Sequence, residues 1–235
     1  MPDNSSNTQP SALKSILVRY GVATLGLVLV GIGVALSIKS DLGTSPVSCP
    51  PYVVNLWNSK FTVGEYTMMM HMVFILSQVL MLRKRFKLRY LMQIPAAIVF
   101  GLITDLSIWA FDWIHVSTYA GRMLLCILTV LVTALGVSLE VLGNAWMLAG
   151  EQTTAAIAEV TKIRFSKAKV GFDVLLVILS AVFALLVFRN PLGNGEYNVI
   201  REGTLILAIF TGICMRFTDP IAKALFGKAV EKATK

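Results

Sequence analysis

The chain has 235 residues, of which 56% are hydrophobic and 14% charged, and its mean hydropathy is +0.72. This composition excludes soluble globular and disordered chains and indicates an integral membrane protein. The net charge of +8 does not indicate nucleic-acid binding, because no soluble basic domain with interleaved aromatic residues is present. The three cysteines Cys49, Cys126 and Cys214 have no spacing typical of a zinc site, so we expect no metal.

Six apolar runs are each long enough to cross the hydrocarbon core of a membrane, which takes about 20 residues. The first run follows a polar N-terminal tail, residues 1–15, and it is too long for the core of a signal peptide. We therefore expect an all-α membrane protein with one membrane domain, residues 16–218. The runs are Ile16–Ile38, Val63–Leu82, Tyr90–Phe111, Tyr119–Leu142, Val170–Phe188 and Asn198–Phe217.

A short helix is expected directly after the first run. Gly43 can supply the left-handed turn that stops a helix, and Ser45-Pro46 has the pattern of an N-cap followed by a first helical residue. A helix from Val47 to about Trp57 cannot span the membrane, so we expect it to be re-entrant or interfacial. Its first backbone N–H groups would be free donors, which makes Thr44 and Ser45 candidate substrate-binding residues.

The distribution of positive charge predicts the orientation of the chain. Residues 83–89 carry five positive charges in seven positions, and such a cluster stays in the cytoplasm. Both termini are then cytoplasmic, and sixteen of the 21 Lys and Arg residues lie on that side. Residues 219–235 are expected to form a basic amphipathic cytoplasmic tail, either resting on an anionic leaflet or solvated.

The two halves of the chain, residues 16–111 and 119–218, resemble each other weakly but in the same order. Each half would hold three spans, and an odd number of spans inverts the second copy relative to the first. We therefore expect inverted repeats, each with a short re-entrant or interfacial helix after its first span. Their alignment places Ser45-Pro46 opposite Glu151-Gln152, so that two helix N-termini approach the midplane from opposite faces. The matched residues, 103 to 107 positions apart, are Gly33, Val34, Leu36, Phe61, Val63 and Gly64 with Gly136, Val137, Leu139, Phe165, Val170 and Gly171.

Several short motifs, in this order and spacing, resemble the YczE/YyaS/YitT group of bacterial integral membrane proteins. The resemblance covers roughly residues 16–218 and implies a multi-pass protein of the bacterial inner (plasma) membrane with about six spans. The roles suggested for the group include export of small molecules and support of secondary-metabolite production. The motifs are Gly-Thr-Ser-Pro46, Pro51-Tyr52, Phe61-Thr-Val-Gly64, Gln93-Ile-Pro95, Phe100-Gly, Asp105-Leu, Gly150-Glu151, Lys169-Val-Gly-Phe-Asp173 and Arg201-Glu-Gly-Thr204.

Ionisable side chains within apolar spans are costly to insert and are therefore candidates for function. Asp173 shares a helical face with Ser180 and Ala184 and is the first choice for proton coupling. Glu151 could hold a proton or a cationic substrate, or could cap its helix. Asp105 is a third proton-coupling candidate, although its small neighbours favour a packed, partnered carboxylate.

The start of the sixth span offers further candidates for substrate binding. Arg201 could clamp an anionic group, but pairing with Glu202 or Glu65 is favoured. Glu140 lies near the inner end of its span, where an acidic side chain can reach the interface, and His71 is expected to hydrogen-bond between helices. The substrate-binding candidates are Thr44, Ser45, Glu151, Gln152, Arg201, Glu202 and Thr204.

The sequence favours a secondary transporter, coupled to protons, that moves or exports a small molecule. The alternative is a non-transporting accessory or substrate-capture subunit of a partner complex. An enzyme is not expected, because neither a nucleophile with a base nor a metal cage is visible, and no cofactor is predicted. The expected partners are a small-molecule substrate and the lipid bilayer, without nucleic acid; a second copy of the chain or another membrane protein is left open.

Overall fold

The computed structural model describes residues 12–234, which form helices and the loops between them. Six helices in this part of the chain are long and apolar enough to cross a membrane, so the fold is that of an all-α, multi-pass membrane protein. The tail predicted at residues 1–15 lies almost wholly outside the described residues. The long helices are α1 (Ala12–Ser40), α3 (Val63–Leu82), α4 (Gln93–Ala110), α5 (Tyr119–Gly143), α7 (Phe165–Phe188) and α8 (Glu202–Ala222). The short ones are α2 (Cys49–Trp57), α6 (Ala149–Thr161) and α9 (Lys228–Thr234).

Helix α2 begins three residues later than its sequence pattern predicts. Residues 46–48 form a turn in which the N–H groups of Ser48 and Cys49 both donate to the Ser45 carbonyl oxygen, at 2.8 and 3.0 Å. Pro46, Pro50 and Pro51 have no N–H group. The start of α2 therefore offers few free backbone donors, which corrects the expectation of an open helix N-terminus.

Helices α1 and α5 cross at the centre of the fold, and glycines allow their backbones to touch. A Cβ atom on Gly26 would lie 2.6 Å from the Gly136 carbonyl oxygen, and one on Gly136 would lie 2.8 Å from the Gly26 oxygen. Small residues of this kind are the usual means by which membrane helices approach closely. The remaining helices pack around this crossing, α4 against α1 and α8 against α5.

The short helices connect the two halves of the fold. Helix α2 packs against α3 and α7, and α6 packs against α7 and α3. Each short helix thus contacts the long helix that follows it and one long helix from a distant part of the chain. Within the second half, the loop before α8 is tied to the first half, since the N–H of Thr44 donates to the Val199 carbonyl at 2.9 Å.

The helix of the sixth span continues beyond the boundary predicted at residue 218. Helix α8 runs to Ala222, a π-helical turn covers Lys223–Gly227, and α9 follows directly. Ala222 and Val230 are buried against residues of α1 and α5, including Val22 and Leu139. The stretch predicted as a basic tail therefore packs along the first half of α1 for much of its length.

Candidate functional site

The starts of α2 and α6 meet inside the fold. A Cβ atom on Gly150, in the first turn of α6, would lie 3.5 Å from Cγ1 of Val47, in the turn before α2. Val47 also packs on the cluster that contains Ala149, Phe74 and Phe172. We call this region the short-helix junction and define it as residues 45–49 and 148–152.

From this junction the two helices run towards opposite ends of the bundle. The last residue of α2, Trp57, packs edge-on against Phe183 near the end of α7, with ring centroids 5.7 Å apart. Near the end of α6, Glu159 lies 3.8 Å from Arg85, which follows α3. The last residues of α3 and of α7 belong to opposite ends, because the intervening chain crosses the bundle three times.

Two buried glutamines fix the start of α6. Gln78 of α3 and Gln93 of α4 exchange amide hydrogen bonds of 3.0 and 2.9 Å. The Gln78 amide also donates to the Ala149 carbonyl and to the Thr153 hydroxyl, at 3.2 and 3.0 Å. Because both amides are buried, losing either partner would leave an unsatisfied polar group, which costs about 1–3 kcal/mol. The position of α6 is therefore specified by polar contacts as well as by packing.

Two carboxylates lie at the junction without full hydrogen-bond satisfaction. Glu140 of α5 is only 3% exposed, and among the described residues its Oε1 atom has no hydrogen-bond partner. In the same part of the chain Oε2 of Glu151 is likewise enclosed and unpartnered. The two side chains are close enough for their charges to interact. Gly26 leaves the space for Glu140, since a Cβ atom there would lie 2.8 Å from Cγ of Glu140.

Asp173 faces the same junction from α7 but has a partner. Lys169, one turn earlier on the helix, donates to Oδ1 of Asp173 at 2.7 Å. Both side chains interact electrostatically with Glu151. Burial raises the pKa of Glu151, and the positive charge of Lys169 acts in the opposite direction. The structure thus brings together Glu151 and Asp173, two of the three candidates for proton coupling.

Asp105, the third candidate, lies elsewhere and caps a helix. Its Oδ1 accepts the N–H of Gly64 at 2.7 Å, and its Oδ2 accepts the hydroxyl of Thr62 at 2.6 Å. Thr62 and Glu65 complete a capping box at the same helix start. Both oxygens of Asp105 are therefore used to hold α4 against the beginning of α3.

The other substrate-binding candidates separate into two groups. The first group lies where the loop after α1 contacts the start of α8 and consists of Thr44, Arg201, Glu202 and Thr204. Arg201 pairs with Glu202 at 3.0 Å and donates to the Asp41 carbonyl oxygen, also at 3.0 Å. The Thr204 hydroxyl donates to the Val199 carbonyl at 3.3 Å, so both threonines take part in contacts within the protein.

Ser45 and Gln152 belong to the short-helix junction. The Ser45 hydroxyl lies 2.9 Å from the Ser48 hydroxyl and accepts the Ser48 N–H. Gln152 lines a cavity of about 270 Å³ that opens between the start of α1 and the loop between α5 and α6. The other lining residues are Ile16, Arg19, Tyr20, Tyr90, Met92, Gln93, Asn144, Ala145, Trp146 and Met147.

The sequence did not predict the burial of Glu140 or the enclosed ring nitrogens of His71 and Trp146. Glu140 was expected to reach the interface, but the close crossing of α1 and α5 encloses it. His71 was expected to hydrogen-bond between helices, yet it is fully buried and stacked on Phe100 with ring centroids 5.6 Å apart. Within residues 12–234 neither His71 nitrogen nor the Trp146 indole N–H has a partner. The available signal for Glu140 was an acidic residue in an apolar run with glycine at position 136 on the same face.

The fold and this polar junction define a multi-pass membrane protein whose short helices meet in its interior. Residues 17–220 match the model of a family of unknown function, DUF6198, and the chain belongs to this family. It is also 25% identical over 205 residues to the uncharacterized protein YyaS of Bacillus subtilis (strain 168). That alignment covers 85% of this chain and 95% of YyaS, in agreement with the resemblance seen in the sequence. No solved structure matches the chain.

Proposed function

We propose that this protein is a secondary transporter that moves a small molecule across the bacterial inner membrane, coupled to protons. The observation that carries the proposal is the short-helix junction, where Val47 and Gly150 bring two helix starts into contact beside buried carboxylates. In secondary transporters, interrupted helices of this kind form the substrate site near the bilayer midplane. Irregular backbone at that depth is tolerated where protein or a water-filled cavity surrounds it.

The packing of the helices supports an inverted repeat as the basis of this transporter. If α1–α4 correspond to α5–α8, the pair α1 and α4 corresponds to α5 and α8, and both pairs are in contact. The contact of α2 with α7 corresponds to the contact of α6 with α3. The contact of α2 with α3 likewise corresponds to the contact of α6 with α7, and all four contacts are present. In this proposal α2 and α6 are re-entrant helices that enter from opposite faces. Rocking of one half against the other would expose the junction alternately.

The orientation belongs to the same proposal. Both termini would be cytoplasmic, because the basic cluster at residues 83–89 and most other Lys and Arg residues then lie inside. Helix α6 would enter from the cytoplasm and α2 from the outer face. Glu151 and Asp173 would load and release the proton, while Ser45 and Gln152 would contact polar groups of the substrate. The outer rim of the substrate site would be formed by Thr44, Arg201, Glu202 and Thr204, with Arg201 paired to Glu202.

Proteoliposomes with an imposed pH gradient test this function directly. The purified protein would be assayed with an internal pH dye against a panel of small amines, acids and drugs. We expect a substrate-dependent proton flux that is lost in Glu151→Gln and reduced in Asp173→Asn, but retained in the matched control Glu159→Gln on the exposed end of α6. No flux with any compound, together with a stably co-purifying membrane protein, would contradict transport and favour the accessory-subunit function.

A further inference from the structure

Two arginines occupy matching positions at opposite ends of the crossed helices α1 and α5. Arg19, near the start of α1, and Arg122, near the start of α5, are 103 positions apart, a separation found between other matched residues of the two halves. Asp41 directly follows α1 and Asn144 directly follows α5, and these residues are also 103 positions apart. Both have a left-handed backbone, with φ +50° and +43°. Each arginine bonds to the left-handed residue that follows the other helix.

At the end of the bundle that contains Arg122, every arginine has a carboxylate partner. The Arg122 guanidinium donates to Oδ2 of Asp41 at 2.6 Å, and both side chains are partly buried. Arg201 lies 4.0 Å from the same carboxylate and pairs with Glu202 at 3.0 Å. Two guanidinium groups therefore face two carboxylates, and the charges of this cluster balance.

At the opposite end, the residue in the position of Asp41 is a neutral amide. Arg19 donates to the carbonyl oxygens of Gly143 and Asn144, at 3.1 and 2.5 Å, which uses two of the five N–H groups of its guanidinium. These carbonyls end α5 and carry only partial negative charge. Within residues 12–234 no carboxylate pairs with Arg19. The positive charge of Arg19 is therefore not balanced by an ion pair in this part of the chain.

The cavity of about 270 Å³ lies beside this unbalanced arginine. Arg19, Asn144 and Gln152 line it, and the described residues of its lining include no Asp or Glu. The side-chain amide of Gln152 forms no hydrogen bond within residues 12–234, so that it can donate to a ligand. Tyr20 and Trp146 supply aromatic walls. The cavity therefore offers a positive charge and an amide donor beside an apolar surface, in a volume that suits a small ligand.

The chemistry of the guanidinium group indicates which charged group fits. Its planar fork matches the two oxygens of a carboxylate or of a phosphate, and charge-assisted bonds of this kind are strong. The basic cluster at residues 83–89 ends directly before Tyr90, which also lines the cavity. Its exposed members, including Arg83 and Lys84, raise the local concentration of anions.

We propose that Arg19 and the amide of Gln152 bind the carboxylate or phosphate group of a small organic anion, whose apolar part lies against Tyr20 and Trp146. The anion takes the place at Arg19 that the Asp41 carboxylate holds at Arg122. This inference rests on the proposed transport function and names the substrate class, because Gln152 belongs both to the cavity and to the short-helix junction. Movement of a monovalent anion with one proton would be electroneutral. The headgroup of an anionic phospholipid offers the same chemistry, so the experiment includes both sources.

Isothermal titration calorimetry on the purified full chain in a neutral detergent tests this inference. Benzoate and phenyl phosphate are the soluble probes, dioctanoyl phosphatidylglycerol is the lipid probe, and benzylammonium is the cationic control. We expect benzoate or phenyl phosphate to bind at one site per chain, and benzylammonium not to bind. Binding of the lipid alone, lost in Arg19→Gln, would overturn the substrate assignment and identify a lipid-headgroup site.

Variants at two positions assign the binding to Arg19. Asn144→Asp places beside Arg19 the carboxylate that Arg122 already has, so it should weaken anion binding at least about tenfold. Arg19→Gln should weaken it at least as much, because the charge partner is lost. The matched control is Asn194→Asp in the loop before α8, where Oδ1 accepts two backbone N–H groups, and it should bind like the wild type. A melting curve checks folding, and if Arg19→Gln does not fold, Asn144→Asp, which keeps Arg19, gives the answer.

The outcomes separate this inference from the proposed function. Absence of binding for both soluble anions, or binding that Arg19→Gln and Asn144→Asp leave unchanged, would overturn the anion site. If proton flux driven by a neutral or cationic solute were then found in proteoliposomes, transport would stand with another substrate class. Benzoate binding that depends on Arg19, but without any proton flux, would support the site and contradict transport.

Discussion

At the scale of single residues, Gly43 and Thr44 show how a loop motif holds two halves of the protein together. Gly43 has φ +98°, a conformation that favours glycine, and a Cβ atom there would lie 2.7 Å from the backbone nitrogen of Arg201. Thr44 is buried and bonds to Val199 through its backbone, while the N–H of Gly203 donates to the Leu42 carbonyl at 2.7 Å. The sequence pattern predicted a left-handed turn at Gly43 that stops the helix; Gly43 does have a positive φ, but the left-handed residue directly after α1 is Asp41, with φ +50°.

The thiol of Cys49 gives a pH-dependent test of this packing. Its Sγ lies 3.3 Å from the Thr44 hydroxyl, and burial raises the pKa of the Cys49 thiol to about 12. With Cys126 and Cys214 replaced by serine, we expect maleimide labelling of the folded protein to stay slow between about pH 7 and 9, because the thiolate is scarce until the pH approaches the raised pKa. Mass spectrometry of timed samples measures the rate, and the same protein unfolded in SDS is the control.

Rapid labelling of the folded protein, with a pH profile centred near the ordinary thiol pKa of about 8.5, would contradict the enclosed position of Cys49. The buried contacts with Thr44 and Val199 would then have to be absent in the folded protein.

At the scale of helices, the crossing of α1 and α5 is set by two glycines. Gly26→Ala or Gly136→Ala would place a methyl group against a backbone oxygen, at 2.6 and 2.8 Å. We expect each to lower the free energy of unfolding by about 1–3 kcal/mol, the usual cost of overpacking. Unfolding in SDS titrations measures the change. The matched control is Gly21→Ala, also on α1, where a Cβ atom has nothing within 4 Å.

The free energy of unfolding of the control Gly21→Ala should be unchanged or slightly higher, because alanine is a better helix former than glycine. The double variant Gly26→Ala/Gly136→Ala should lose less free energy of unfolding than the sum of the two single losses, since both substitutions separate the same pair of backbones. Equal stability of Gly26→Ala and Gly21→Ala would show that the helices do not cross so closely.

At the scale of the whole molecule, the sequence predicted the long helices well. The bounds of α3 are those predicted, and α5 differs by one residue, because apolar runs and their polar ends depend on local sequence alone. The family resemblance was also correct, and residues 17–220 match the family model.

Contacts between distant residues were harder to predict. The small neighbours of Asp105 predicted a packed, partnered carboxylate, which the structure confirms, but they did not predict that its partners lie at the start of α3, where Gly64 and Gly101 approach closely. The burial of Glu140 depends in the same way on Gly26, far away in the chain. The residues that complete the candidate site therefore emerged from tertiary packing, which single-sequence patterns do not specify.

The central claim is that two short helices enter the membrane from opposite faces and meet at the junction. Single cysteines at Ser45 and at Gln152 test it, each in a chain whose Cys49, Cys126 and Cys214 are replaced by alanine. A membrane-impermeant thiol reagent is applied to right-side-out and to inside-out vesicles. Lys60→Cys and Lys162→Cys, at exposed loop positions before α3 and before α7, calibrate labelling from each side. We expect Ser45→Cys to react from the outer side only and Gln152→Cys from the cytoplasmic side only; reaction of both from the same side would contradict the account.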